Sequence, residues 1–132
     1  MKNWIMVLTA MLLFAGCTKY TTPRKVEKRI SKGTWKISSF TVDGLSVAAD
    51  YQFYTFSFAE DGDISVGGGI SASGSWELGL NRNPAILYLS FPPVGGLEYL
   101  ADDWQVTDMQ RDLMRLERND SNGSGGSLVF RK

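Results

Sequence analysis

The side chains able to do chemistry in this 132-residue chain are one cysteine, Cys17, and carboxylates gathered at Glu60-Asp61-Gly62-Asp63 and at Asp102-Asp103. There is no histidine, so Ser-His-Asp and Cys-His pairs and most zinc sites lack a member before geometry enters. Clustered carboxylates beside a glycine suit calcium, a hard cation that takes oxygen ligands. Here the D-x-D-x-D-G order and its distal glutamate are missing, and Glu60 to Asp63 reads as a solvated hairpin tip. Asp102-Asp103 reads as a turn before a strand, with no partner in the sequence for acid–base work. No catalytic residue, metal or cofactor is expected, and the chain is read as a non-enzyme.

Cys17 stands in a different setting. Lys2 gives a positive start, Trp4 to Phe14 is almost wholly apolar, and Ala15-Gly16 are small. Eleven apolar residues are too few to cross a bilayer, so the layout is that of a secretory signal. A cysteine at the cut site after Ala-Gly resembles the lipobox of bacterial lipoproteins, with Phe14 departing from the usual leucine. The resemblance implies that residues 1–16 are removed and that Cys17 is acylated and holds the protein to a membrane. Residues 17–32 then form a lipidated tether and short helix, and residues 33–132 a folded domain. With Cys17 consumed by lipid, no intrachain disulfide can form.

Removing Lys2 leaves thirteen bases and fourteen acids, which excludes the dense basic face that nucleic acid requires. The charge is unevenly placed. Lys19 to Lys36 holds seven bases and one acid, whereas Asp43 to Asp108 holds ten acids and one base. The basic run is either a solvated helix face or a surface drawn to anionic headgroups beside the acylated cysteine, with the acidic body facing away.

Pro23 to Lys32 reads as a short helix. Thr22 is placed to cap it, Pro23 suits its first position, and Gly33 suits its end. Only Val26 and Ile30 are apolar in its interior, spaced i, i+4, so it must lean on another element. From Trp35 the period becomes two, which puts Trp35, Ile37 and Ser39 on one side. Strands are expected over Trp35 to Val42, Tyr51 to Phe58, Ile64 to Val66, Ser75 to Leu80, Ala85 to Phe91, Trp104 to Met109, Leu113 to Arg118 and Ser127 to Arg131, with Leu97 to Ala101 a short strand or loop. Asp43-Gly44, Glu60 to Asp63, Pro92 to Gly96 and Gln110 to Asp112 are turns, Gly67 to Gly74 is a glycine-rich loop or a bulged strand end, and Asn119 to Gly126 is a glycine-rich loop. About eight strands at roughly twelve-residue spacing mean an antiparallel sandwich or barrel.

Gly33-Thr34-Trp35 after a short helix is similar to the G-x-W that opens the first strand of lipocalins. The succeeding F-x-F, D-G-D, G-x-W, W-x-V and terminal L-x-F-R resemble the lipocalin-like lipoproteins abundant in Bacteroidetes. The resemblance, over residues 33–132, implies an all-β, up-and-down antiparallel barrel of about eight strands with a short N-terminal helix. It implies that Trp35 closes one end beneath a late arginine, Arg131 or Arg115. Surface lipoproteins of that group tend to carry acids just after the cysteine; Thr18-Lys19-Tyr20 has none, which implies an outer-membrane protein facing the periplasm.

The remaining candidate site is an aromatic and aliphatic set: Tyr54, Phe56, Phe58, Trp76, Leu87, Leu89, Trp104 and Val106. An eight-stranded barrel is just wide enough either to be filled by side chains or to hold one small ligand. Two functions stay open: a binding module for an apolar small molecule, and a filled barrel that contacts an envelope protein through its loops.

Overall fold

The computed structural model describes residues 21–79, 84–119 and 125–132; Cys17 and Leu80 lie outside them. Helix α1 (Pro23–Ile30) starts where expected, with the Thr22 hydroxyl accepting from the Lys25 amide at 3.3 Å and Pro23 in the first turn. It ends at Ile30, two residues short of Lys32, and Ser31 caps it. Val26 and Ile30 are fully buried, each burial contributing about 1.5–3 kcal/mol.

The strands are β1 (Lys36–Val42), β2 (Leu45–Ser46), β3 (Thr55–Phe58), β4 (Asp63–Gly67), β5 (Ala72–Gly79), β6 (Ile86–Ser90), β7 (Asp103–Met109), β8 (Leu113–Asn119) and β9 (Gly125–Arg131). They form one antiparallel sheet in the order β2-β1-β9-β8-β7-β6-β5-β4-β3. Each strand from β3 to β9 pairs with the next, and β9 returns beside β1. The fold is all-β and up-and-down. The sheet does not close by a full ladder. Among the described residues its two sides pair at one position, where Trp35 and Phe56 exchange both backbone hydrogen bonds at 2.8 Å.

Several expectations are sharpened or corrected. The strand expected over Tyr51 to Phe58 begins only at Thr55, because a 3-10 turn (Ala48–Tyr51) delivers Tyr51 to the core and leaves Phe53 exposed. Leu97–Leu100 is a second 3-10 turn, which buries Leu97 and Leu100. The strand-end alternative holds for Gly74, which belongs to β5. A Cβ there would lie 2.4 Å from the Ser90 carbonyl and 2.6 Å from the Phe91 ring, so glycine lets that ring lie against the strand. Finally, Ser39 does not continue the inward row of Trp35 and Ile37. The β1–β9 register shifts between Ile37 and Ser39, and this bulge turns Phe40 inward, fully buried.

The interior at mid-height is filled. Phe56 packs edge-on against Phe91 and Phe130, with ring centroids 6.1 and 5.3 Å apart, and Phe58 against Phe130 at 6.0 Å. Leu87, Leu116, Leu128 and Val106 complete the layer without exposure. Helix α1 lies across one end, against the last residues of β5 and β7. There the half-buried Arg29 donates to the Met109 carbonyl at 2.7 Å, and the Trp35 indole donates to the Ile30 carbonyl at 2.9 Å. No helix among the described residues is long and apolar enough to cross a membrane.

Candidate functional site: the loop-bearing rim

The antiparallel order puts the β1–β2, β4–β5, β6–β7 and β8–β9 connections at the end opposite α1. The two glycine-rich segments therefore share one rim. Asn119 and Gly125 pair there, while residues 120–124 lie outside the described chain.

Two segments fold over this rim and lock together through tyrosines. The Tyr51 hydroxyl donates to the Gly96 carbonyl at 2.7 Å, and the Tyr54 hydroxyl donates to the Gly95 carbonyl at 2.9 Å. Gly95 and Gly96 have φ of +59° and +82°, and a Cβ on Gly95 would sit 2.7 Å from the Tyr54 oxygen. Glycine is required here both for the backbone and for the approach. Phe40 stands against Tyr51 at 5.4 Å and Trp104 at 6.2 Å.

Between these segments lies a crevice of about 440 Å³. Phe40, Val42 and Val47 form one side, and Gly95, Gly96 and Tyr99 the other, with Tyr51 and Asp50 between them. Beside it, the Arg118 guanidinium lies 4.7 Å over the Trp104 ring, pairs with Asp102 at 2.8 Å and donates to the Tyr99 carbonyl at 3.3 Å. Asp102 is thus spent on positioning an arginine, and its neighbour Asp103 begins β7.

Burial, reinforced by Asp50 and then Glu98, pushes the Tyr51 hydroxyl up to about 12. An unfolded chain releases that proton near pH 10, so rising pH favours unfolding between the two values. The stability Tyr51 adds relative to Tyr51→Phe should be constant below pH 10 and shrink from pH 10 to 12. Urea titrations at pH 8, 10 and 11 check this; a difference independent of pH would contradict it.

The sequence-picked residues fall elsewhere. Phe56, Phe58, Leu87, Leu89, Trp104 and Val106 are buried core, and none lines the crevice. Tyr54 stands next to it, half-buried. Trp76 lies at the other end, its indole donating to the Ala59 carbonyl at 2.8 Å, beside a polar cleft of about 680 Å³ between α1 and Glu60. Trp35 is fully buried, but Arg131 is exposed and so is Arg115. The cation over the Trp35 ring is the Lys132 ammonium, 4.6 Å from its centroid. Asp61 accepts from the Asp63 amide at 3.1 Å, as in a tight turn. No cluster of three metal-binding side chains occurs among the described residues.

Phe40, Val47, Asp50, Tyr51 and Tyr99 were not singled out by sequence reasoning. The Gly95-Gly96 pair, with two tyrosines on an earlier segment, was the available signal. Comparison with protein-family models, curated proteins and solved structures finds no match.

Proposed function

We propose that this protein is a lipocalin-like lipoprotein of the bacterial cell envelope, held by lipid on Cys17, that binds a small apolar molecule without chemical change. The supporting observation is the rim crevice, apolar on both sides and open at the end away from α1. The mid-barrel is occupied by Phe56, Phe91 and Phe130, so the ligand sits at the rim rather than deep inside. A crevice of about 440 Å³ falls within the range of small-molecule sites, roughly 300–1,000 Å³.

The tether sets the orientation. Thr21 is buried, and its carbonyl accepts from the Ala85 amide at 2.9 Å. Four residue steps from Cys17 to Thr21 reach at most about 14 Å. The exposed Arg24, Lys25, Lys28 and Lys32 then lie against the headgroups, and the rim faces the periplasm.

Native mass spectrometry of the protein extracted from its own membrane tests the reading. A noncovalent small-molecule adduct is expected on the natural protein and lost in Val47→Trp, which fills the crevice. A bare protein in both cases would favour a second reading, docking of an envelope protein on the rim. That reading has its own support: the exposed large hydrophobics Leu45, Phe53, Val94 and Tyr99, 47–72 % accessible, all lie at this end.

A further inference from the structure

The crevice is apolar in its walls but not in its charge. Among the described residues, Asp50 is the one charged residue that lines it. Glu98, exposed, precedes the lining Tyr99. Arg118, which donates to the Tyr99 carbonyl, is committed to Asp102 and to the face of Trp104, so it does not neutralise the site. The Gly95 carbonyl accepts one tyrosine hydroxyl and keeps a second lone pair, whereas that of Gly96 accepts both the Tyr51 hydroxyl and the Tyr99 amide. Three rings, those of Phe40, Tyr51 and Tyr99, border the same space.

Resting on the reading of this crevice as a binding site, we infer that it selects an organic cation, an alkylated ammonium with an apolar body. The ammonium sits against the exposed ring of Tyr99, above the buried Tyr51 and Phe40, with the Asp50 carboxylate beside it. Aromatic faces carry negative charge density and attract such cations, most strongly where water is excluded. An alkylated ammonium loses less hydration than a bare ion on entering an apolar crevice, and its methyl groups meet Val42 and Val47. An anion would meet Asp50 and Glu98 uncompensated.

The test uses the full mature chain in an uncharged maltoside detergent, with two probes of one shape. Choline carries the charge, and 3,3-dimethylbutan-1-ol replaces its nitrogen with carbon. Amide NMR shifts of Gly95 and Gly96 read binding. Choline is expected to bind about tenfold more tightly than the alcohol, and Asp50→Asn with Glu98→Gln is expected to erase that preference. Equal binding of the two probes would overturn the cation inference and leave the apolar crevice standing. No binding of choline, with an adduct still seen by native mass spectrometry, would also overturn it. If neither probe bound and no adduct were found, both readings would fall together.

Discussion

Trp35→Ala is expected to cost about 3–5 kcal/mol, the range for emptying a fully buried large aromatic site. The ring is wholly inaccessible and does three things at once. It fills the space beneath α1, and its indole satisfies the Ile30 carbonyl at 2.9 Å. It also carries the Lys132 ammonium on its outer face. Its own backbone makes the pair that joins the two sides of the sheet. Truncation leaves that backbone intact but removes what holds it against Phe56. A domain of this size has about 5–15 kcal/mol in total, so the loss is a large fraction. Trp35→Phe keeps most of the volume and loses only the indole bond, about 1 kcal/mol. Urea unfolding of the three proteins checks the order; an unchanged midpoint for the alanine variant would remove the closure from the account.

The fold was legible because its inward row is written in period two. Phe56 and Phe58, Ile64 and Val66, Leu87 and Leu89, and Trp104 and Val106 all alternate, and all are buried. The same rule, applied to the last strand, shows why Arg131 is not over Trp35. Phe130 points inward, so Arg131 next to it points outward, in register with Lys36. Lys132, beyond the strand, is free of the alternation and folds back across the ring. The bulge at Ser38 was not legible, since nothing in the pattern Ser38-Ser39-Phe40 marks an extra residue. That one slip moves Phe40 from the outer row to the floor of the crevice.

The site was less legible than the fold for a related reason. Tyr51 and Tyr54 read as strand residues because aromatics favour pleated surfaces. In the structure Ala48–Tyr51 is a helical turn, stabilised by the Tyr51 bond to Gly96, 45 residues away. A contact of that separation leaves no local trace. The crevice is built almost wholly from such non-local meetings, of β1 with the two 3-10 turns, and its chemistry appears only when they are brought together.

Cys17→Ser is expected to abolish lipid attachment, the largest functional change a single substitution can make here. Cys17 and the apolar run before it lie outside the described residues. One acyl chain gives only marginal membrane binding, whereas two or more, or one with a basic patch, hold firmly. The lipobox resemblance implies several chains on Cys17, and the bases of α1 add about 1 kcal/mol each when close to anionic headgroups. Intact mass of the membrane-extracted protein should therefore equal residues 17–132 plus acyl chains. The serine variant lacks the thiol for the thioether, and its mass should show none. Because an uncleaved apolar leader can itself linger in a membrane, a second form carries an ordinary cleavable signal in place of residues 1–17. That form should fractionate as soluble and keep the natural urea midpoint, since it keeps Thr21, whose carbonyl holds the Ala85 amide. An acyl-free mass for the natural protein, or a second form as firmly bound as the first, would overturn the anchor. The orientation of the rim would then lose its basis, while the crevice and its test would stand unchanged.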